Sequence, residues 1–159
     1  MKNLNLIAFI NEINEENQQQ YQCSSYQPDI KQDFNNQIEQ NPVSELQMHK
    51  ILFLTFCEFY QKFSKNLFTN PNFVAWKFGP VELDYRQLSQ NPSSERNQLN
   101  KFNIKIDQEE YQYLKDLIQK MLSHSVWHLV AISHSSPAWY NNYYTLNRQI
   151  SLNDLQTNY

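Results

Sequence analysis

A single glycine, Gly79, serves all 159 residues, where ordinary composition would supply about ten. The chain therefore has no Gly-rich loop with which to cradle a phosphate or build an oxyanion hole. The one glycine lies in "NFVAWKFGPVELDYRQ", residues 72–87, between a run of aromatics and a proline. Glycine before proline is driven toward extended conformations, some of them at positive φ, which only glycine reaches cheaply. The position reads as a corner where an extended segment turns. A side chain at 79 is expected to obstruct that turn or the packing of Trp76 and Phe78.

Around this corner the apolar spacing is helical. From Ser44, with Gln47 three residues on as a capping box, "SELQMHKILFLTFCEFYQKFSKNLF" sets Leu52, Phe56, Phe59 or Tyr60, Phe63 and Leu67 on one stripe. Met48, Ile51 and Leu54 widen it, so residues 44–67 are expected to form the central helix. Leu6, Ile7, Ile10 and Ile13 predict a first helix over 3–20. The segment 18–41 reads as a polar connector, in which Ile30, Phe34 and Ile38 allow a short helix. "TNPN" at 69–72 is a turn and "FVAWKF" at 73–78 is extended. Pro80 suits the first position of a helix over 80–89, and 89–98 is a loop. Asp107 with Glu110 caps a helix over 107–123, and Ser125 opens another over 125–134. Shorter helices follow at 138–146 and 151–158, the last capped by Ser151 with Asp154. The fold class is mainly α, a compact single-domain helical fold around the 44–67 helix. One or two short extended segments lie near 72–78.

Composition narrows the function classes. Asn and Gln make up about a quarter of the chain. They are interleaved with well-spaced apolar positions, which favours compositional bias over a prion-like segment. The formal net charge is −3, which speaks against a large phosphate-binding surface. No basic helix-turn-helix precedes residue 44, so direct nucleic-acid binding is not expected. The start carries no signal peptide pattern, because Asn11 and Glu12 interrupt its apolar run. No stretch spans a bilayer, and Cys23 and Cys57 give no disulfide framework. The expectation is a soluble, cytoplasmic protein without membrane contact.

Chemistry-bearing residues are few. His124 and His128 stand four apart, a spacing that suits two metal ligands. No glutamate lies between them and no third ligand is evident, so neither a metal nor any other cofactor is expected. Ser133, Ser135 or Ser136 beside His134 could pair on paper, but no strand–turn–helix elbow frames them. No catalytic residue is assigned. His134 is expected near a helix end, where it can serve free carbonyls. Pro137 then ends that helix, and Trp139 packs back.

Three pieces in order, "MHKILFLTF" at 48–56, "AWKFGPV" at 75–81 and "LVAISHSSPAW" at 129–139, resemble the Panacea, or SocA-like, antitoxin domain. The likeness spans residues 44–159, after an N-terminal helix and Gln/Asn-rich connector over 1–43. His49 stands where the family commonly has glutamine, Phe53 where it has tyrosine and Ser133 where it has threonine. The resemblance implies a non-enzymatic, mostly helical domain that neutralises a cognate toxin encoded nearby by protein–protein contact. An alternative is an adaptor or phage-associated protein that recruits a partner, for instance to a protease. The partner surface is expected at Trp76, Lys77, Tyr85, Arg86, His134, Trp139 and Tyr140. Lys50, Gly79, Pro80, Val81, Ser133 and Pro137 carry the structural motif. Oligomeric state stays open.

Overall fold

The computed structural model of the chain describes residues 1–24, 42–91, 100–157 and 159. The expected short helix at Ile30, Phe34 and Ile38 and most of the 89–98 loop lie outside the described residues. The chain opens with β1 (Lys2–Asn5) and α1 (Leu6–Ser24). Next come the central α2 (Glu45–Phe63), the hairpin strands β2 (Phe73–Trp76) and β3 (Gly79–Glu82), and α3 (Leu83–Gln90). A 3-10 turn at Asn100–Phe102 leads into β4 (Asn103–Ile106). Helices α4 (Gln108–Leu122), α5 (Val126–His134), α6 (Pro137–Tyr143) and α7 (Leu152–Thr157) complete the order. Mainly α is the class, with two small antiparallel sheets, β1 with β4 and β2 with β3.

Helix α2 is the core. Its Ser44 side chain accepts from the Gln47 amide, satisfying one of the donors that a helix start leaves free. Ten consecutive residues from Met48 to Cys57 are buried, so the helix is surrounded on nearly its whole circumference. Phe53 and Phe56 meet Phe73 edge-on, and Phe56 meets Phe68. The helix ends four residues before the expected Leu67. Ser64 turns left-handed at φ 53° while its amide still bonds Tyr60 O, a C-cap that stops the helix. Leu67 and Phe68 are buried all the same, from the loop.

Two expected starts are displaced. Residues 3–5, read as the start of a helix, instead belong to β1 (Lys2–Asn5). The strand pairs Lys2 with Ile106 and Asn5 with Asn103, and the Asn5 side chain then accepts from the Ala8 amide as α1 begins. The helix also continues through the Gln run to Ser24. Pro80 does not open a helix. It lies in β3 opposite Ala75, and Val81 lies opposite Val74. The extended 73–76 segment needs a ladder partner, and 79–82 supplies it. Glu82 then caps α3, its carboxylate accepting from the amides of Asp84 at 2.8 Å and Tyr85 at 3.3 Å. Downstream, Asp107 and Glu110 form the full capping box of α4. Ser125 caps α5, and Ser151 accepts from the Asp154 amide at the start of α7. Among the described residues no helix is long and apolar enough to cross a membrane.

Candidate functional site

The β2–β3 turn, Trp76 to Gly79, is where the separated sequence pieces meet. Three side chains from three helices each take a backbone carbonyl in or beside it. From α2, Lys50 Nζ donates to Pro80 O at 2.9 Å. From α5, His134 Nε2 donates to Lys77 O at 3.0 Å. From α6, the Trp139 indole N–H donates to Trp76 O at 2.9 Å. A hairpin turn ordinarily leaves such carbonyls to water, and here they are held by long-range bonds.

Gly79 is the hinge of this clasp, and it holds the positive φ expected from its place before proline. Its φ is +104°, outside the range that side chains tolerate. A Cβ there would stand 2.6 Å from Lys50 Cε and 2.6 Å from Ser133 Oγ. The turn expected at this position does require glycine, and the space a side chain would need is occupied by Lys50 and Ser133. Ser133 is buried and gives its hydroxyl to Val130 O of its own helix. Ser133 and His134 thus bond different backbone acceptors. Lys50 is fully buried, and among the described residues no carboxylate forms an ion pair with it. Burial alone pushes its pKa down to about 7.

A second polar group anchors the hairpin from below. His49 Nδ1 accepts from the Glu82 amide at 3.1 Å, and its Nε2 donates to Glu45 Oε1 at 3.2 Å. Burial holds its pKa down at about 4, against the smaller pull of the Glu45 bond. The ring is therefore neutral at physiological pH, which suits a nitrogen that accepts. Glu82 is fully buried and meets Lys101 Nζ at 2.6 Å, with the Asn72 amide on the same oxygen at 2.9 Å. Burial raises its pKa, and the Lys101 bond and charge oppose that shift.

With the carbonyls held inward, the turn's side chains face solvent. Trp76 is 37 % exposed and Phe78 47 %, and Lys77 is exposed with its ammonium 5.5 Å from the Phe78 ring. The Arg86 guanidinium sits 5.0 Å over the Trp76 ring and 3.3 Å from Glu45. His134, Trp139 and Tyr143 form a stack, with centroids 4.1 Å and 4.8 Å apart. Tyr140 is exposed beside it. Of the expected surface residues Tyr85 turns inward, half-buried and edge-on to His49 and Phe102; Trp139 is also half-buried and packs against the core, and Arg86 and His134 are half-buried. Val81 is buried in the hairpin. Pro137 is the first residue of α6, which separates it from α5.

Two residues of this surface were missed from sequence. Trp127 is 61 % exposed and lies edge-on to Phe78, centroids 5.9 Å apart. On α5 the inward positions are Leu129, Val130 and Ser133, so 127 falls on the outer side. That helical phase was available from sequence. The His124 and His128 rings lie 4.5 Å apart, tilted by 45°. Among the described residues no group of three His, Cys, Asp or Glu side chains could hold a metal ion.

Residues 48–140, more than half of the chain, match the family model of the antitoxin SocA-like, Panacea domain. No curated protein and no solved structure gives a match.

Proposed function

The chain belongs to the antitoxin SocA-like, Panacea domain family, and on that premise we propose that it neutralises a cognate toxin by direct protein–protein contact. The contact surface is the clasped turn at 76–79 with the rings around it, and the mechanism is occlusion of the toxin's working surface. The observation that carries this reading is the clasp itself. Lys50, His134 and Trp139 hold the backbone of one short turn from three directions, while Trp76, Lys77 and Phe78 stay in solvent. A turn fixed this way presents its aromatics at little ordering cost, and rigid aromatic and Arg anchors dominate protein interfaces. Trp76, Lys77, Arg86 and Tyr140 are the contact residues in this reading. Trp139 and His134 act through the turn they hold, and Tyr85 supports from beneath. The domain works by binding, with no reaction of its own.

The test begins with the small gene adjacent to this one. Its product, expressed alone, is expected to arrest growth. Co-expression with this protein restores growth, and the two co-purify. Trp76→Ala leaves the fold intact and abolishes rescue. A neighbour harmless on its own, or a rescue that needs no complex, sinks the reading.

A further inference from the structure

Among the described residues the exposed rings are not distributed evenly, and along the sequence neither are the charges. From Leu117 to Asn153 the sequence contains no Asp or Glu, in a chain that has 16 of them and a net charge of −3. That stretch supplies α5, α6 and the Arg148 segment, whose backbone bonds β2 through Ala75 N–H to Arg148 O at 2.8 Å. The hairpin turn adds Lys77, and Arg86 lies over Trp76. Arg148 lies over Tyr143 at 5.0 Å. Among the described residues Glu45 holds Arg86 and His49, and Asp154 accepts from Asn142. An acidic protein thus carries one aromatic face with a positive rim.

We propose that the face centred on the Phe78–Trp127 pair docks an acidic, apolar polypeptide segment of the partner, with an aliphatic or aromatic side chain against the rings and flanking carboxylates toward Lys77 and Arg148. This rests on the antitoxin reading and names the chemistry of what the antitoxin grips. Charge complementarity selects this occupant. A second copy of the chain would bring the same cations against themselves. A nucleic acid strand needs a track of cations matched to successive phosphates, whereas here all three, Lys77, Arg86 and Arg148, are placed over rings. Desolvated rings give affinity, and a cationic rim attracts carboxylates and rejects basic segments.

The test uses the full chain and a random linear peptide library displayed on phage. Enriched peptides are expected to combine Asp or Glu with Leu, Ile, Phe or Trp, and to bind less tightly as salt rises. Trp127→Ser and Phe78→Ser, both replacing exposed side chains, each weaken binding about tenfold or more, with unchanged circular dichroism. Lys77→Glu removes the preference for acidic peptides. Enriched peptides that are neutral or basic overturn the proposal, as do affinities untouched by the two serine substitutions. Tighter binding to oligothymidylate overturns it in favour of nucleic acid. A dimer that Trp127→Ser abolishes overturns it in favour of self-association. If acidic peptides bind here but the adjacent gene product is harmless, the antitoxin reading fails and this surface stands. If Trp127→Ser and Phe78→Ser proteins neutralise a true toxin as well as the unaltered chain does, the antitoxin reading stands and this proposal fails.

Discussion

Lys50 and Gly79 occupy one space between them. The lysine stem runs where a side chain at 79 would go, and a Cβ there would meet Lys50 Cε at 2.6 Å. The buried ammonium then bonds the carbonyl of the next residue, Pro80. While Lys50 stays, no side chain fits at 79.

Gly79→Ala is therefore expected to be among the most damaging single substitutions in the chain. It forces a side chain to φ +104°, a strain of about 1–3 kcal/mol, and adds the clash with Lys50 and Ser133. Urea unfolding is expected to show a total loss of about 3 kcal/mol or more. Lys50→Ala in the same protein recovers only part of it, because Ser133 Oγ also stands 2.6 Å from the new Cβ. A Gly79→Ala protein as stable as the parent contradicts the clasp.

Lys50 also makes stability depend on pH in a window set by its two states. Folded, it titrates near 7, and unfolded near its ordinary 10.5. Between these values the unfolded chain holds the extra proton, so stability rises with pH. The slope is at most about 1.4 kcal/mol per pH unit. Below 7 both states are protonated and the full cost of the buried charge applies. Cys57 and Tyr159, both pushed up mainly by burial, act in the opposite direction once pH passes their ordinary 9.0 and 10.0. The rise is thus visible from about 7 to 9. Lys50→Met should flatten it, as measured by denaturant midpoints across that range.

Much of the fold was legible because most elements announce themselves locally. Ser44, Asp107 and Ser125 each precede an apolar run at helical spacing, and each caps the helix expected there. What escaped depended on distant partners. Asn103-Ile104-Lys105-Ile106 alternates exposed and buried as a strand should, but its partner is 98 or more residues away at Lys2–Asn5. Pro80 fits a helix start by local preference, and strand pairing with Ala75 overrides it. The convergence of Lys50, Gly79, Ser133, His134 and Trp139 is likewise a matter of packing. Spacing alone marks Gly79 as special without saying that a lysine fills its shadow.

The Glu82–Lys101 pair is expected to be worth more than a surface ion pair. Glu82 is fully buried, and Lys101 also reaches Asn70 O at 3.0 Å and Asp84. Lys101→Met leaves a buried carboxylate without its cation, which costs about 3–5 kcal/mol. The sign with pH follows from Glu82. Its folded pKa, already raised by burial, rises further without Lys101, so the folded state takes up a proton that the unfolded state does not. The deficit relative to the parent is then largest near neutrality and shrinks as pH falls toward the ordinary carboxylate range. Glu82→Gln with Lys101→Met costs less than the two single losses added. Additive losses in that cycle remove the pair as a structural unit.

Holding the turn and displaying it are separable, and Trp139 is the residue that tests this. Its indole N–H bonds Trp76 O, while its ring is stacked between His134 and Tyr143. Trp139→Phe keeps an aromatic ring in the stack but removes the donor, leaving the Trp76 carbonyl to water. One such bond contributes about 1 kcal/mol, so global stability falls by roughly that amount. Amide exchange at Lys77 and Phe78 is expected to quicken more than exchange in α2, because the loss is local to the turn. Trp76→Ala does the reverse: it removes a displayed ring and leaves the backbone bonds of the turn in place. If binding of the proposed toxin depends on a preordered turn, Trp139→Phe weakens it mainly through slower association. Trp76→Ala weakens it mainly through faster release. Measured on one sensor surface, the two variants should part along those two rates. Equal effects on both rates would mean that the clasp has no share in presenting the rings.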